Sequence, residues 1–300
     1  MTKEMIFDLQ LFDGEVNATV NGTSANEVIK VDHATGGNTF KYESNNADLP
    51  KNPSTATDAD VKIVNAGAGA DTIKVDTGVA GLTITGGSGN DVIEIKAENT
   101  GGNTYLYNYG EGKDTIYGFN TDGASDTIMV GTNKAYDAVM GVDGRSMVVS
   151  VGSSSNVVYV NGLTAGQKVK IYGQYKDGTI GEKEFEVTKL MQGTTSADSI
   201  NNVYIAAIGT EGQAGYVAAV TPLEGEEGDI YVVDAGNGAD TINNSGNYVS
   251  ISGGSGESVF CGIKGTDHLV VTDCRRAKIK SGCFTGTSRG VNVKQEIAFA

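Results

Sequence analysis

Histidine is nearly absent from this chain: 2 residues in 300, isolated at His33 and His268. Most of the sequence therefore lacks the usual proton shuttle and the commonest metal ligand. The 3 cysteines, Cys261, Cys274 and Cys283, all lie from residue 261 onward. Three thiols cannot all pair within one chain, and no Cys-x-x-Cys or Cys/His ligand spacing occurs, which argues against a zinc site. Tryptophan is missing and proline is limited to 3 residues. No apolar run approaches the ~18–20 residues that a membrane helix needs. Positive charge is also short, with 22 Lys and Arg against 37 Asp and Glu and a net charge of −15. Such a chain repels nucleic acid and anionic membrane surfaces and attracts cations.

Signatures of catalysis are equally scarce. No strand-to-helix nucleophile elbow, no phosphate-cradling loop leading into a helix and no metalloprotease helix can be read. A carboxylate-dependent polysaccharide-active enzyme would need only aspartates, yet the aspartates here are accounted for by turns. The expectation is that the protein is not an enzyme.

Glycine, by contrast, is abundant at 43 residues, without the three-residue period of collagen. That favours many tight turns over disorder, and an elongated solenoid over a compact globule. The stretch GGSGNDVIEI at 86–95 shows the pattern most fully. Its glycines permit positive φ and let backbone groups crowd together, Asp91 closes the turn, and the alternation from Val92 places Ile93 and Ile95 on one strand face. The unit recurs as AGAGADTIK at 66–74, YGEGKDTIY at 109–117 and AGNGADTIN at 235–243. A further copy, GGSGESVFC at 253–261, carries Ser258 where the carboxylate belongs. Shorter echoes keep only the end of the unit, at Asn26-Glu27-Val28, Asp126-Thr127-Ile128 and Asp198-Ser199-Ile200.

Nine-residue units of the form G-G-x-G-x-D-x-(apolar)-x resemble the repeat of the RTX, or haemolysin-type calcium-binding, family. The resemblance implies an all-β, right-handed parallel β-roll or β-solenoid with irregular coils. It also implies Ca2+ as the cofactor, held between stacked turns and coupled to folding. Calcium takes six to eight oxygen ligands, so turn carbonyls and carboxylates from two coils would have to combine. Asp71 and Asp91 are 20 residues apart, close to a coil of two nine-residue units. The best candidate site is therefore the pair of turns Ala66, Gly67, Ala68, Gly69, Asp71 and Gly86, Gly87, Ser88, Gly89, Asp91. Asp114, 23 residues after Asp91, joins the row only if an extra bulge is absorbed, and Asp240 serves a second row whose next carboxylate is lost at Ser258. The alternative is a metal-free solenoid in which each aspartate caps its own turn.

The chain also repeats itself over a long range. DVKIVNAGAGADTI at 60–73 aligns with DIYVVDAGNGADTI at 229–242, an offset of 169, and GTSANEVI at 22–29 faces GTTSADSI at 193–200, an offset of 171. The expected organisation is an N-terminal cap and loop at 1–59, a first repeat segment at 60–130, irregular coils or a small β-module at 131–192, a duplicated segment at 193–262 and a basic tail at 263–300. A hairpin is expected around Lys176-Asp177-Gly178. The opening "FDLQLF" is similar to openings of bacterial surface and phage structural proteins, and the last residues, 296–300, are similar to tails read by type I secretion systems. These resemblances imply a bacterial protein, secreted or on the cell surface, that acts as a scaffold or adhesin toward glycans or proteins. The alternative role is a fibre component.

Overall fold

The computed structural model describes residues 18–34, 37–43, 61–96, 101–131, 134–209, 218–254, 259–261, 268–270 and 278–279. All regular structure among them is β. The first strands are β1 (Ala18–Asn21), β2 (Val28–Ala34), β3 (Gly37–Tyr42), β4 (Val61–Asn65), β5 (Thr72–Val75), β6 (Thr83–Thr85), β7 (Val92–Ile95), β8 (Thr104–Tyr107), β9 (Lys113–Tyr117) and β10 (Thr127–Val130). The chain then forms β11 (Tyr136–Met140), β12 (Met147–Val151), β13 (Ser153–Asn161), β14 (Lys168–Gln174) and β15 (Ile180–Glu186). A second series follows: β16 (Leu190–Gln192), β17 (Ser199–Asn202), β18 (Tyr231–Asp234), β19 (Thr241–Asn244), β20 (Val249–Ser252), β21 (Val259–Cys261), β22 (His268–Val270) and β23 (Lys278–Ile279).

Each coil contributes one strand to each of two sheets. Strands β1, β4, β6, β8, β10 and β14 pair in parallel in one sheet, and β2, β5, β7, β9 and β13 pair in parallel in the other. The second series repeats the plan in two four-stranded parallel sheets, β16-β18-β20-β22 and β17-β19-β21-β23. The expectation of a parallel β-solenoid holds.

Short β-branched strands separated by glycine turns dictate this arrangement. Alternation sends every second side chain inward, and coil stacking then places like on like. In one sheet Ile29, Ile73, Ile93, Ile116 and Val160 stand in register. In the other Val20, Val64, Ile84, Tyr105, Ile128 and Ile171 do so. All of these are buried in one core. Full burial of a side chain of this size contributes roughly 1.5–3 kcal/mol, so the repeated isoleucine is the main cohesive element of the coil. A second core is built from Met191, Ile200, Tyr231, Val233, Ala235, Ile242, Val249, Ile251 and Phe260.

The irregular region at 131–192 adds antiparallel strands to the parallel coils that β13 and β14 continue. Strands β11 and β12 form a hairpin that extends the second sheet beyond β13, and β14 turns back into β15. The turn of the latter is the expected one: Gly178 has φ 89° and its N–H donates to Tyr175 O at 2.9 Å. At the opposite end β3 folds back antiparallel on β2. These additions cover sheet edges that would otherwise be open to pairing with other chains. Residues 44–60 of the expected cap and loop, Ser258, Cys274, Cys283 and, apart from 268–270 and 278–279, the basic tail lie outside the described residues.

Candidate functional site

The glycine-aspartate turns lie along one corner of the first unit, immediately before the strands of the second sheet. Glycine is required there by contact as well as by φ. Gly87 and Gly89 have φ of 90° and 153°, and a methyl group on them would sit 1.8 Å from Gly67 O and 1.6 Å from Gly69 O. Each turn therefore rests on the carbonyls of the turn before it. Direct hydrogen bonds add to this stacking: Ser88 N–H donates to Gly67 O at 2.9 Å, Gly69 N–H to Ser88 O at 2.8 Å, Ala68 N–H to Thr23 O at 2.9 Å and Gly89 N–H to Glu111 O at 2.8 Å. Ala66 is buried at the start of its turn and donates to Thr85 O.

Behind the turns the carboxylates form a ladder. Glu27 N–H donates to Asp71 Oδ1 at 2.7 Å, Asp71 N–H to Asp91 Oδ1 at 2.8 Å and Asp91 N–H to Asp114 Oδ1 at 3.1 Å. The four acids are at most 4% exposed. Asp114 thus joins the row despite its longer spacing, and Glu27 supplies a rung at its head. There Thr23 caps the end: its N–H and hydroxyl donate to Glu27 at 3.0 and 2.6 Å. The second unit has a separate ladder, in which Asp198 N–H donates to Asp240 Oδ1 at 2.9 Å and Thr194 N–H donates to Asp198 Oδ2 at 2.6 Å. Asp240 is therefore not brought together with Asp71 and Asp91. The signal for both head residues was the weak echo at Asn26-Glu27-Val28 and Asp198-Ser199-Ile200, each preceded four residues earlier by threonine.

Within the first ladder, two carboxylates have unused capacity. Asp71 Oδ2 and Asp91 Oδ2 are buried without a hydrogen-bond partner. The Asp91 carboxylate folds back over its own turn, where a methyl on Gly86 would lie 2.2 Å from Oδ2. Burial pushes the Asp71 carboxyl up to about 7, helped by the charges of Asp91 and Glu27. Burial likewise raises Asp91, and pushes Asp114 up to about 8 with help from the charges of Asp91 and Glu111.

Asp126, in the same Asp-Thr-Ile context, does something different. It sits at the start of β10 in the other sheet and accepts from Asn103 N at 2.9 Å, Asn103 Nδ2 at 3.1 Å, Asn120 N at 2.9 Å and Tyr105 Oη at 3.2 Å. Both of its oxygens are engaged, so it locks a corner and has no oxygen to spare.

The chemistry of the ladder suits a hard cation. Its donors are all oxygen, two carboxylate oxygens are spare, and each turn carbonyl that accepts one N–H retains a second lone pair. Among the described residues no three His, Cys, Asp or Glu side chains cluster to hold a metal. Backbone carbonyls would therefore have to supply much of any coordination shell. No protein-family model matches the chain, and no curated protein is significantly similar to it.

Proposed function

We propose that the chain is a calcium-binding β-solenoid, secreted or displayed on a bacterial cell surface, that serves as a scaffold or adhesin rather than an enzyme. The observation that carries this reading is the pair of buried, partnerless oxygens, Asp71 Oδ2 and Asp91 Oδ2, on adjacent coils. A buried acceptor without a donor is costly, and more so when it is charged. Bound calcium would supply the missing counter-charge. Asp71 and Asp91 would hold the ion together with carbonyls of the 66–69 and 86–89 turns, while Gly67, Gly69, Gly87 and Gly89 keep those carbonyls within reach. With the acidic corner neutralised, the outer sheet faces would be held rigid for contact with glycans or proteins. Calorimetric titration of the whole chain with calcium tests this. Saturable binding that Asp71→Asn/Asp91→Asn abolishes supports the site, and heat that is unchanged in the double variant removes it.

A second reading is a metal-free structural solenoid, such as a fibre component. It is favoured by a specific feature: every ladder carboxylate already accepts a backbone N–H, and the turns already bond to one another. A folded chain with no calcium heat would establish it.

A further inference from the structure

The two cores stand back to back across a single strand, β16. Leu190 packs on the first core, whereas its neighbour Met191 is buried in the second. A solenoid core ends in an exposed apolar layer unless something covers it, and at this end of the second core the cover comes from the first unit. The turn at 141–146 between β11 and β12 reaches across, and Val142 packs against the second core beside Leu223. Gly144 is buried with φ 63°, and a methyl on it would lie 2.6 Å from Leu223 Cδ1 and 2.8 Å from Met191 Cγ. Gly141 O accepts Gln192 N–H at 3.2 Å.

Arg145 belongs to both units. Its carbonyl accepts Leu163 N–H at 2.8 Å, Leu163 being a member of the first core, while its guanidinium donates to Thr221 O. The turn is also held in shape before it docks. Asp143 Oδ1 accepts from Arg145 N at 3.0 Å, Ser146 N at 2.9 Å and Ser146 Oγ at 2.7 Å. On the receiving side Leu223 is fixed by Asn202, which accepts its N–H at 2.6 Å and donates to its carbonyl at 2.8 Å.

We propose that the 141–146 turn is a plug for the second solenoid, so that the second unit keeps its fold only while docked on the first. The duplicated half is then a dependent extension, and the chain behaves as one rod with an order of assembly: first unit, hairpin, second unit. A pre-shaped turn that inserts a small apolar side chain and a glycine into a waiting pocket loses little conformational freedom on docking.

Hydrogen exchange followed by mass spectrometry on the full chain, with calcium in excess, tests this proposal. Val142→Asp and Arg145→Ala weaken the plug, and Val139→Asp, on the exposed face of the same hairpin, is the control. Exchange in β18 to β20 is expected to quicken by at least about tenfold in the plug variants, with β4 to β9 and the control unchanged. Unaltered protection of β18 to β20 overturns the proposal. So does an equal loss of protection in both units in Arg145→Ala, which removes only one contact and decides the comparison if Val142→Asp unfolds everything.

Discussion

Asp71 is held from both sides: its N–H donates to Asp91 Oδ1 in the following coil, and its own Oδ1 accepts the N–H of Glu27 in the preceding one. The carboxylates therefore reach backward along the stack. Where an asparagine stands just before a ladder acid it reaches forward, with Asn26 Oδ1 accepting Ala70 N–H at 2.8 Å and Asn90 Oδ1 accepting Lys113 N–H at 2.9 Å. Adjacent turns are thus stapled in opposite directions by two neighbouring positions.

Ala70 occupies the forward-reaching position in its coil but has no acceptor to offer Asn90. Ala70→Asn is expected to complete the outer row and to stabilise the protein by about 0.5–1 kcal/mol, the net value of an intramolecular hydrogen bond. A rise of about 1–3 °C in the melting temperature is the matching observable. An unchanged or lower value would show that the outer row does not contribute.

Stacking rather than φ alone makes the turn glycines irreplaceable. Gly87→Ala, at φ 90°, drives a methyl into Gly67 O and is expected to cost more than about 3 kcal/mol. Gly110 has a similar positive φ of 101°, but nothing lies within 4 Å of a methyl placed there. Gly110→Ala is therefore expected to cost only about 1 kcal/mol of backbone strain. Denaturant unfolding of the two variants distinguishes contact from conformation.

The head of each ladder rests on a threonine. Thr23→Val removes the hydroxyl donor to Glu27 while keeping the shape, and is expected to cost about 1–2 kcal/mol. Thr194→Val should cost less, since its contacts with Asp198 are exposed to solvent. Equal costs would contradict the assignment of burial as the deciding factor.

Acidity should stabilise the calcium-free chain. The folded values near 7 for Asp71 and 8 for Asp114, and the raised value of Asp91, lie above the unfolded value of about 3.9. Between about pH 4 and pH 8 the folded state holds protons that the unfolded state has released. This stabilisation is complete below the unfolded value and is lost as pH rises through the folded ones. Melting temperature without divalent ions is therefore expected to fall from pH 5.5 to pH 8.5, and calcium is expected to flatten that fall. A melting temperature that rises with pH in the absence of calcium would contradict the buried ladder.

The row of Asp71 and Asp91 and the stacked isoleucines could be read from the sequence because a nine-residue unit carries turn, carboxylate and core residue at fixed distances. Asp114 and Glu27 were harder to place, since an extra bulge and a changed side chain hide them from any exact spacing. Asp198 and Asp240 pair across 42 residues because the excursion after β17 lengthens their coil. Asp126 shares the Asp-Thr-Ile string yet lies in the other sheet, since the same three residues suit any strand that starts with a carboxylate cap. The plug at 141–146 could not be read at all. Its meaning comes from Met191 and Leu223, which are distant in sequence and have no pattern of their own.

On the proposed reading, calcium completes the acidic corner and couples it to folding. Far-ultraviolet circular dichroism of the whole chain during calcium titration, with magnesium as control and Asp71→Asn/Asp91→Asn as the comparison, tests it most directly. The expected result is a gain of β-signal that calcium drives, magnesium does not, and the double variant loses. A spectrum already fully β and unmoved by calcium would contradict it and leave a self-sufficient solenoid.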